Sequence, residues 1–382
     1  MSFSQELASI PDARQPHSLL HDESEVIRSA KRFAHSGEAR AGDSGVSTAH
    51  RAIAHLNRFD PESRHMIARM RRALLGLLVA AAVAPWALAQ SSRPAILSRL
   101  IWFDRSGQRL GSVGPIADHG NLELSPDGTR VAVAVTDGAR ATRDIWMYNI
   151  GSGERTQFTS EPSDENWLIW SPDGARVLLN SFARDSLTLF ESPSSGASQR
   201  TRVLEGNEGK WPVSWSPDGR FVLYVTNNDR TSNDIWVLLR DGSGSPYPYL
   251  HTAASENWAA FSPDGKWVVF SAADSNSGQP EVFVAPFPAP TRRFRISADG
   301  GAQARWRRDG KEIFYVAPNR MLMSAQIETD SSGVTVKGYE PLFELQHPYG
   351  AYHAFDLTPD GQRFLVNTLV VNRGRGVIAS LR

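Results

Sequence analysis

Ser125-Pro126-Asp127-Gly128, Ser171-Pro172-Asp173-Gly174, Ser216-Pro217-Asp218-Gly219 and Ser262-Pro263-Asp264-Gly265 are four copies of one tetrapeptide, and their reading decides the fold. Two weaker copies follow, Arg307-Arg308-Asp309-Gly310 and Thr358-Pro359-Asp360-Gly361. The six aspartates are spaced by 46, 45, 46, 45 and 51 residues. A repeat of that length is one four-stranded propeller blade. The tetrapeptide reads as a hairpin turn: Pro presets φ at the second position, Asp bonds its own backbone at the third, and Gly takes the left-handed conformation that other residues resist. That requirement already accounts for Asp, so these aspartates are expected to make turns rather than to catalyse.

Outward from each turn, an apolar stretch follows: Val131 to Val135, Val177 to Leu179, Phe221 to Val225, Trp267 to Phe270, Ile313 to Val316 and Phe364 to Val366. Unbroken apolar runs fit strands buried on both faces, as inner strands are when neighbouring blades sandwich them. Third strands are expected at Asp144 to Tyr148, Asp234 to Val237, Glu281 to Val284 and Met321 to Met323, and polar fourth strands at Arg155 to Thr159 and Arg293 to Ile296. Leu100 to Asp104 and Gln108 to Val113 read as the third and fourth strands of a blade that lacks its first two. The last repeat has its first two strands, around Phe355 and Phe364, and only Gly376 to Leu381 beyond. Completing the last blade with the N-terminal hairpin closes the ring and leaves no exposed edge. The expectation is therefore an all-β, six-bladed propeller of four-stranded blades over residues 97–382; a partial seventh blade is the alternative.

Composition excludes several classes. With 41 basic and 41 acidic residues the net charge is zero, which argues against a nucleic-acid partner. The absence of cysteine removes disulfides, thiolate metal sites and Cys nucleophiles together. Residues 66–89 carry Arg69, Arg71 and Arg72, an uncharged run from Ala73 to Ala84, then Pro85 and the small residues Ala87 and Ala89. This is the pattern of a signal peptide with a mature start at Gln90, and it implies a periplasmic or otherwise extracytoplasmic protein. The alternative is a retained anchor, although the run is shorter than the roughly 20 apolar residues that span a bilayer. Residues 1–65 hold too few large apolar side chains to close a core, and are read as a poorly structured extension or as the product of a start codon assigned too early. Within them Gly42-Asp43-Ser44-Gly45 matches a serine-protease nucleophile string without the His and Asp frame that chemistry needs. His50 and His55 fall on different faces of any helix, so no metal site is expected there.

The turns and their aromatic lead-ins, Trp170, Trp215 and Phe261, resemble the WD40-like β-propeller repeats of the TolB family, over about residues 97 to 382. The order Ile101-Trp102-Phe103-Asp104-Arg105-Ser106-Gly107, then Trp306 to Glu312, then Asp360 to Thr368 is similar to the extracytoplasmic propeller of some bacterial serine/threonine protein kinases. The kinase's Gly-rich loop, His-Arg-Asp and Asp-Phe-Gly strings do not occur. What the resemblance implies is a sensor or binding propeller.

The starts of the first strands are expected to converge on one channel mouth, which makes His119, Asn121, Glu165, Trp167, Trp211, Glu256, Trp258, Arg305 and His353 the candidate binding residues. Their aromatic, acidic and basic mixture suits a protein segment, a peptide or a sugar. The recurrent Glu165-Asn166-Trp167 and Glu256-Asn257-Trp258 also fit packing between blades, and that bland alternative stays open. The functional expectation is a monomeric, non-catalytic binding or scaffolding module of the envelope with no cofactor, no metal and no nucleic-acid partner, whose only membrane association is through an uncleaved signal. The enzyme alternative, a lyase, a lactonase or a peptidase-associated propeller, lacks a Gly-x-Ser-x-Gly elbow and a convergent His and carboxylate set. A remnant sensor domain is the third possibility.

Overall fold

The computed structural model describes residues 96–370, apart from positions 139, 141, 184–185, 197–198, 229–231, 274–278, 331–332 and 349–351. The expected extension 1–65, the signal 66–89 and the strand from Gly376 to Leu381 lie outside these residues. The strands in chain order begin with a hairpin, β1 (Ser98–Asp104) and β2 (Arg109–Ala117). Blade one is β3 to β6 (His119–Leu124, Arg130–Thr136, Arg143–Asn149, Arg155–Gln157), and blade two is β7 to β10 (Leu168–Trp170, Arg176–Ala183, Ser186–Pro193, Thr201–Leu204). Blade three is β11 to β14 (Gly209–Trp215, Phe221–Asn228, Ser232–Leu239, Tyr247–Leu250), and blade four is β15 to β18 (Glu256–Phe261, Trp267–Ala273, Pro280–Pro286, Phe294–Arg295). Blade five is β19 to β22 (Ala302–Trp306, Glu312–Val316, Met321–Asp330, Gly333–Glu344); β23 (Phe355–Leu357) and β24 (Arg363–Leu369) complete the set.

Six antiparallel four-stranded sheets result, and blade six has the order β2-β1-β24-β23. The ring closes as expected: β1 pairs with β24 from Ser98 opposite Leu369 to Asp104 opposite Arg363. There is no seventh sheet among the described residues.

The unbroken apolar runs are explained by two-sided burial. Along β12, Val222 and Tyr224 enter the cluster shared with blade two, while Leu223 and Val225 enter the cluster shared with blade four. Along β20, Ile313 and Tyr315 face blade four, and Phe314 and Val316 face blade six. Each of the six blade interfaces holds one such cluster. The core is therefore a ring of radial layers, which is what lets a chain without disulfides hold together by packing.

The turns behave as their sequence dictates. All six turn glycines have φ between +67° and +76°. The Ser125 hydroxyl donates to Asp127 at 2.5 Å and accepts from the Arg130 N–H at 3.0 Å, while Asp127 accepts the Thr129 N–H at 3.0 Å. The same hydroxyl bridge recurs at Ser171, Ser216, Ser262 and Thr358. Blade five has no hydroxyl there. Arg307 takes over, donating to Asp309 at 2.8 Å and reaching Glu312 at 2.5 Å. Its longer stem still closes the turn, so the degenerate sequence keeps the geometry. The 51-residue spacing after Asp309 is absorbed mainly by β21 and β22, a hairpin of 10 and 12 residues that is longer than the Met321 to Met323 strand expected from sequence.

Candidate functional site

Because the blades repeat, one register position recurs around the axis. Four residues before each turn aspartate stand Glu123, Ile169, Ser214, Ala260, Arg305 and Asp356, and all six line one funnel of 510 Å³ at the turn end of the channel. The next residues, Leu124, Trp170, Trp215, Phe261, Trp306 and Leu357, form a second, apolar ring. Pro126, Pro172, Pro217, Pro263 and Pro359 make the rim, where blade five substitutes Arg308. Trp170 and Trp306 donate their indole N–H groups to the carbonyls of Glu123 and Ala260 at 3.1 and 3.3 Å, which fixes the rings and leaves apolar faces as wall.

Charge collects on one side of the floor. Arg305 forks onto Glu123 with distances of 2.9 and 2.6 Å, reaching from blade five to blade one across blade six. Its Nε lies 3.9 Å from Asp356. Asp356 is itself anchored, accepting the Leu124 N–H at 2.8 Å and the Leu357 N–H at 2.9 Å. The three side chains are 11% to 14% exposed. Burial pushes the Glu123 carboxyl up to about 7; the Arg305 charge opposes the shift and Asp356 adds to it. Burial works against the Arg305 charge, yet Glu123 and Asp356 outweigh it and hold the guanidinium above its ordinary value.

Of the nine candidate residues expected to converge at the opposite mouth, most are buried. Trp167 of blade two packs on Tyr352 and His353 of blade six, with ring centroids 6.0 and 5.5 Å apart. The His353 N–H donates to Asn121 at 3.2 Å, so Trp167, His353 and Asn121 do come together, but buried rather than on a surface. Burial and the Arg305 charge push the His353 imidazole well down. His119 is buried against Ser98 at 3.2 Å, and burial lowers its imidazole to about 4. Glu165 is consumed by Ser163, Ser181 and Arg200 at 2.6, 2.9 and 3.1 Å, and Glu256 by Thr252. Trp211 folds over Gly209 of its own strand; it and Trp258 are half-buried.

Arg305 corrects the expectation, because it stands one residue before the end of β19 and so belongs to the turn mouth. The physical reason lies in the bulges. Register shifts between His119 and Leu122, Asn257 and Ala260, and Ala302 and Arg305 break the simple alternation on which the convergence rested. Trp258 and Gln303 take φ of +50° and +57° at these bulges. The turn mouth carries a sequence signal of its own, the position four residues before each aspartate, which is charged in three consecutive repeats and uncharged in the other three.

Six four-stranded blades closed into one ring make the chain a six-bladed β-propeller. A solved structure assigned as TolB from Agrobacterium tumefaciens superposes with a TM-score of 0.57 at 20% identity, covering 72% of this chain and 99% of that one. No protein-family model matches the chain. An uncharacterized peptidase of Bacillus subtilis is 25% identical over 189 residues, 39% of this chain and 29% of its own length. An uncharacterized protein of Agrobacterium fabrum is 27% identical over 206 residues, 51% of this chain and 66% of its own. The chain thus spans less than two thirds of either curated relative. Among the described residues no helix is long and apolar enough to cross a membrane.

Proposed function

We propose that the protein is an exported, monomeric, non-catalytic binding module of the cell envelope, and that it receives an extended segment of a protein or peptide in the funnel at the turn mouth. The observation that carries this reading is the convergence of six equivalent strand positions into one recess with aromatic walls and a fixed ionic floor. Rings supply contact area at low entropic cost, and a few placed charges set orientation, which is the composition of a recognition site. The Glu123 to Arg305 fork ties the charged groups to one another, as positions for recognition rather than as an acid and a nucleophile held apart. The likeness in fold to a TolB supports the same reading, and the extracytoplasmic location rests on the signal pattern at residues 66–89.

Ala260 lines the funnel in blade four, opposite blade one in the ring, so Ala260→Trp adds an indole to the recess while leaving the residues Glu123, Arg305 and Asp356 unchanged. Purified wild-type and Ala260→Trp chains, matched for thermal unfolding, are immobilised and exposed to envelope extract. A protein retained by the wild type and released by the filled variant is the expected result, and identical retention on both chains overturns the placement. The name of the Bacillus subtilis relative favours a second reading, participation in peptide hydrolysis. Turnover of fluorogenic dipeptide substrates by the purified chain, abolished by Ala260→Trp, would move the assignment to it.

A further inference from the structure

Within the proposed binding role, the structure assigns the funnel floor a ligand class: we infer that it selects a lysine or arginine side chain of an extended peptide, whose cationic head enters between Glu123 and Asp356.

The register position that builds the floor is charged in blades five, six and one, and holds Ile169, Ser214 and Ala260 in blades two, three and four. Two carboxylates there share one guanidinium. Glu123 takes both arms of Arg305, and the remaining Nε is 3.9 Å from Asp356, beyond hydrogen-bond reach. Asp356 cannot swing away to solvent, because each of its oxygens holds a backbone N–H. A second cation brings the floor to two charges of each sign. An acidic ligand would instead have to strip Glu123 from Arg305 and add a third carboxylate around one guanidinium, a buried like-charge cost. Arg308 on the rim does not reverse this preference, since it is exposed and its charge is screened by water and salt. The elevated Glu123 value of about 7 points the same way: with only Arg305 to share, the second negative charge is held against burial, and an incoming cation relieves it. Between rim and floor, the half-buried ring of Trp306 offers an apolar wall to the aliphatic stem of a long basic side chain, whereas Trp170 and Trp215 already hold Arg130 and Arg240 over one face.

The test is a displayed library of random nonapeptides selected on the wild-type chain, with binders also retained by Ala260→Trp discarded. The expected survivors share a Lys or Arg at one position; replacing that residue with norleucine weakens binding at least about tenfold, and on Glu123→Gln the penalty shrinks to about threefold or less. Should Glu123→Gln fail to fold, Asp356→Asn removes the other carboxylate and serves the same comparison. Survivors without a shared basic residue, survivors sharing an acidic one, or a norleucine penalty unchanged by the carboxylate variants overturn the inference while leaving the funnel as the site. If the Ala260→Trp filter removes no binder, the site itself falls and the inference falls with it.

Discussion

Glu123 shows how the burial of a single carboxyl ties stability to pH. It releases its proton at about 7 in the folded chain against an ordinary 4.5, so the folded state holds that proton more tightly than the unfolded one. Its contribution to stability is complete below 4.5 and is lost as pH rises through 7, on the order of 3 kcal/mol. Glu123→Gln does not titrate. Relative to the wild type it should therefore gain stability between about pH 5 and about pH 8, read as the difference between two urea denaturation curves at each pH; a difference that stays flat would mean that Glu123 remains charged throughout. The difference is the quantity to follow because His119, lowered to about 4 by burial, pulls the other way: its contribution is present above 6.5 and lost on acidification. Neither shift could be read from sequence, since the glutamate of Leu122-Glu123-Leu124 becomes a buried partner only when Arg305, 182 residues away, is brought against it.

At the scale of the element, the turn explains why the tetrapeptide is repeated. Its glycine has to be left-handed, and its proline packs on the next blade: a methyl group at Gly174 or Gly265 would stand 3.7 or 3.6 Å from the ring of Pro126 or Pro217 in the preceding turn. The same approach to a preceding proline recurs at Gly310 with Pro263, whereas Gly128 and Gly219 have no such neighbour. Gly219 has open space around it, so Gly219→Ala should cost only the left-handed strain, about 1 to 2 kcal/mol. Gly361→Ala should cost more, because its methyl group would meet Arg307 at 3.0 Å and Phe314 at 3.1 Å. Chemical denaturation of the two variants orders them, and equal losses would show that the blade five contact yields freely. Second strands and turns were the most legible elements because both faces of β4, β8, β12, β16, β20 and β24 are buried and each turn obeys local rules. The first strands were not, since register shifts in four of them redirect side chains that simple alternation would have aimed at the opposite mouth.

For the whole molecule, the decisive contact is the pairing of β1 with β24. Leu100 is fully buried between Leu365 and blade one, and Arg105 in the turn just after the same strand reaches Glu312 at 2.9 Å and Glu340 at 2.6 Å in blade five. The hairpin thus closes the ring through a packed core on one side and an ion-pair network on the other. Leu100→Ala should cost about 2 to 5 kcal/mol, while Leu110→Ala on the exposed strand β2 should stay within about 0.5 kcal/mol. Tryptophan fluorescence during urea unfolding measures both, and comparable losses would argue that the fold does not depend on its closing hairpin. The sequence by itself determined the number of blades, the strand order within them and the closure, because those follow from a 45-residue period, local turn chemistry and strands apolar on both faces. Only the tertiary structure decided which residues line the recess at the turn end of the channel. Those residues come from separate repeats and meet only when the ring places equivalent positions of six blades around one axis.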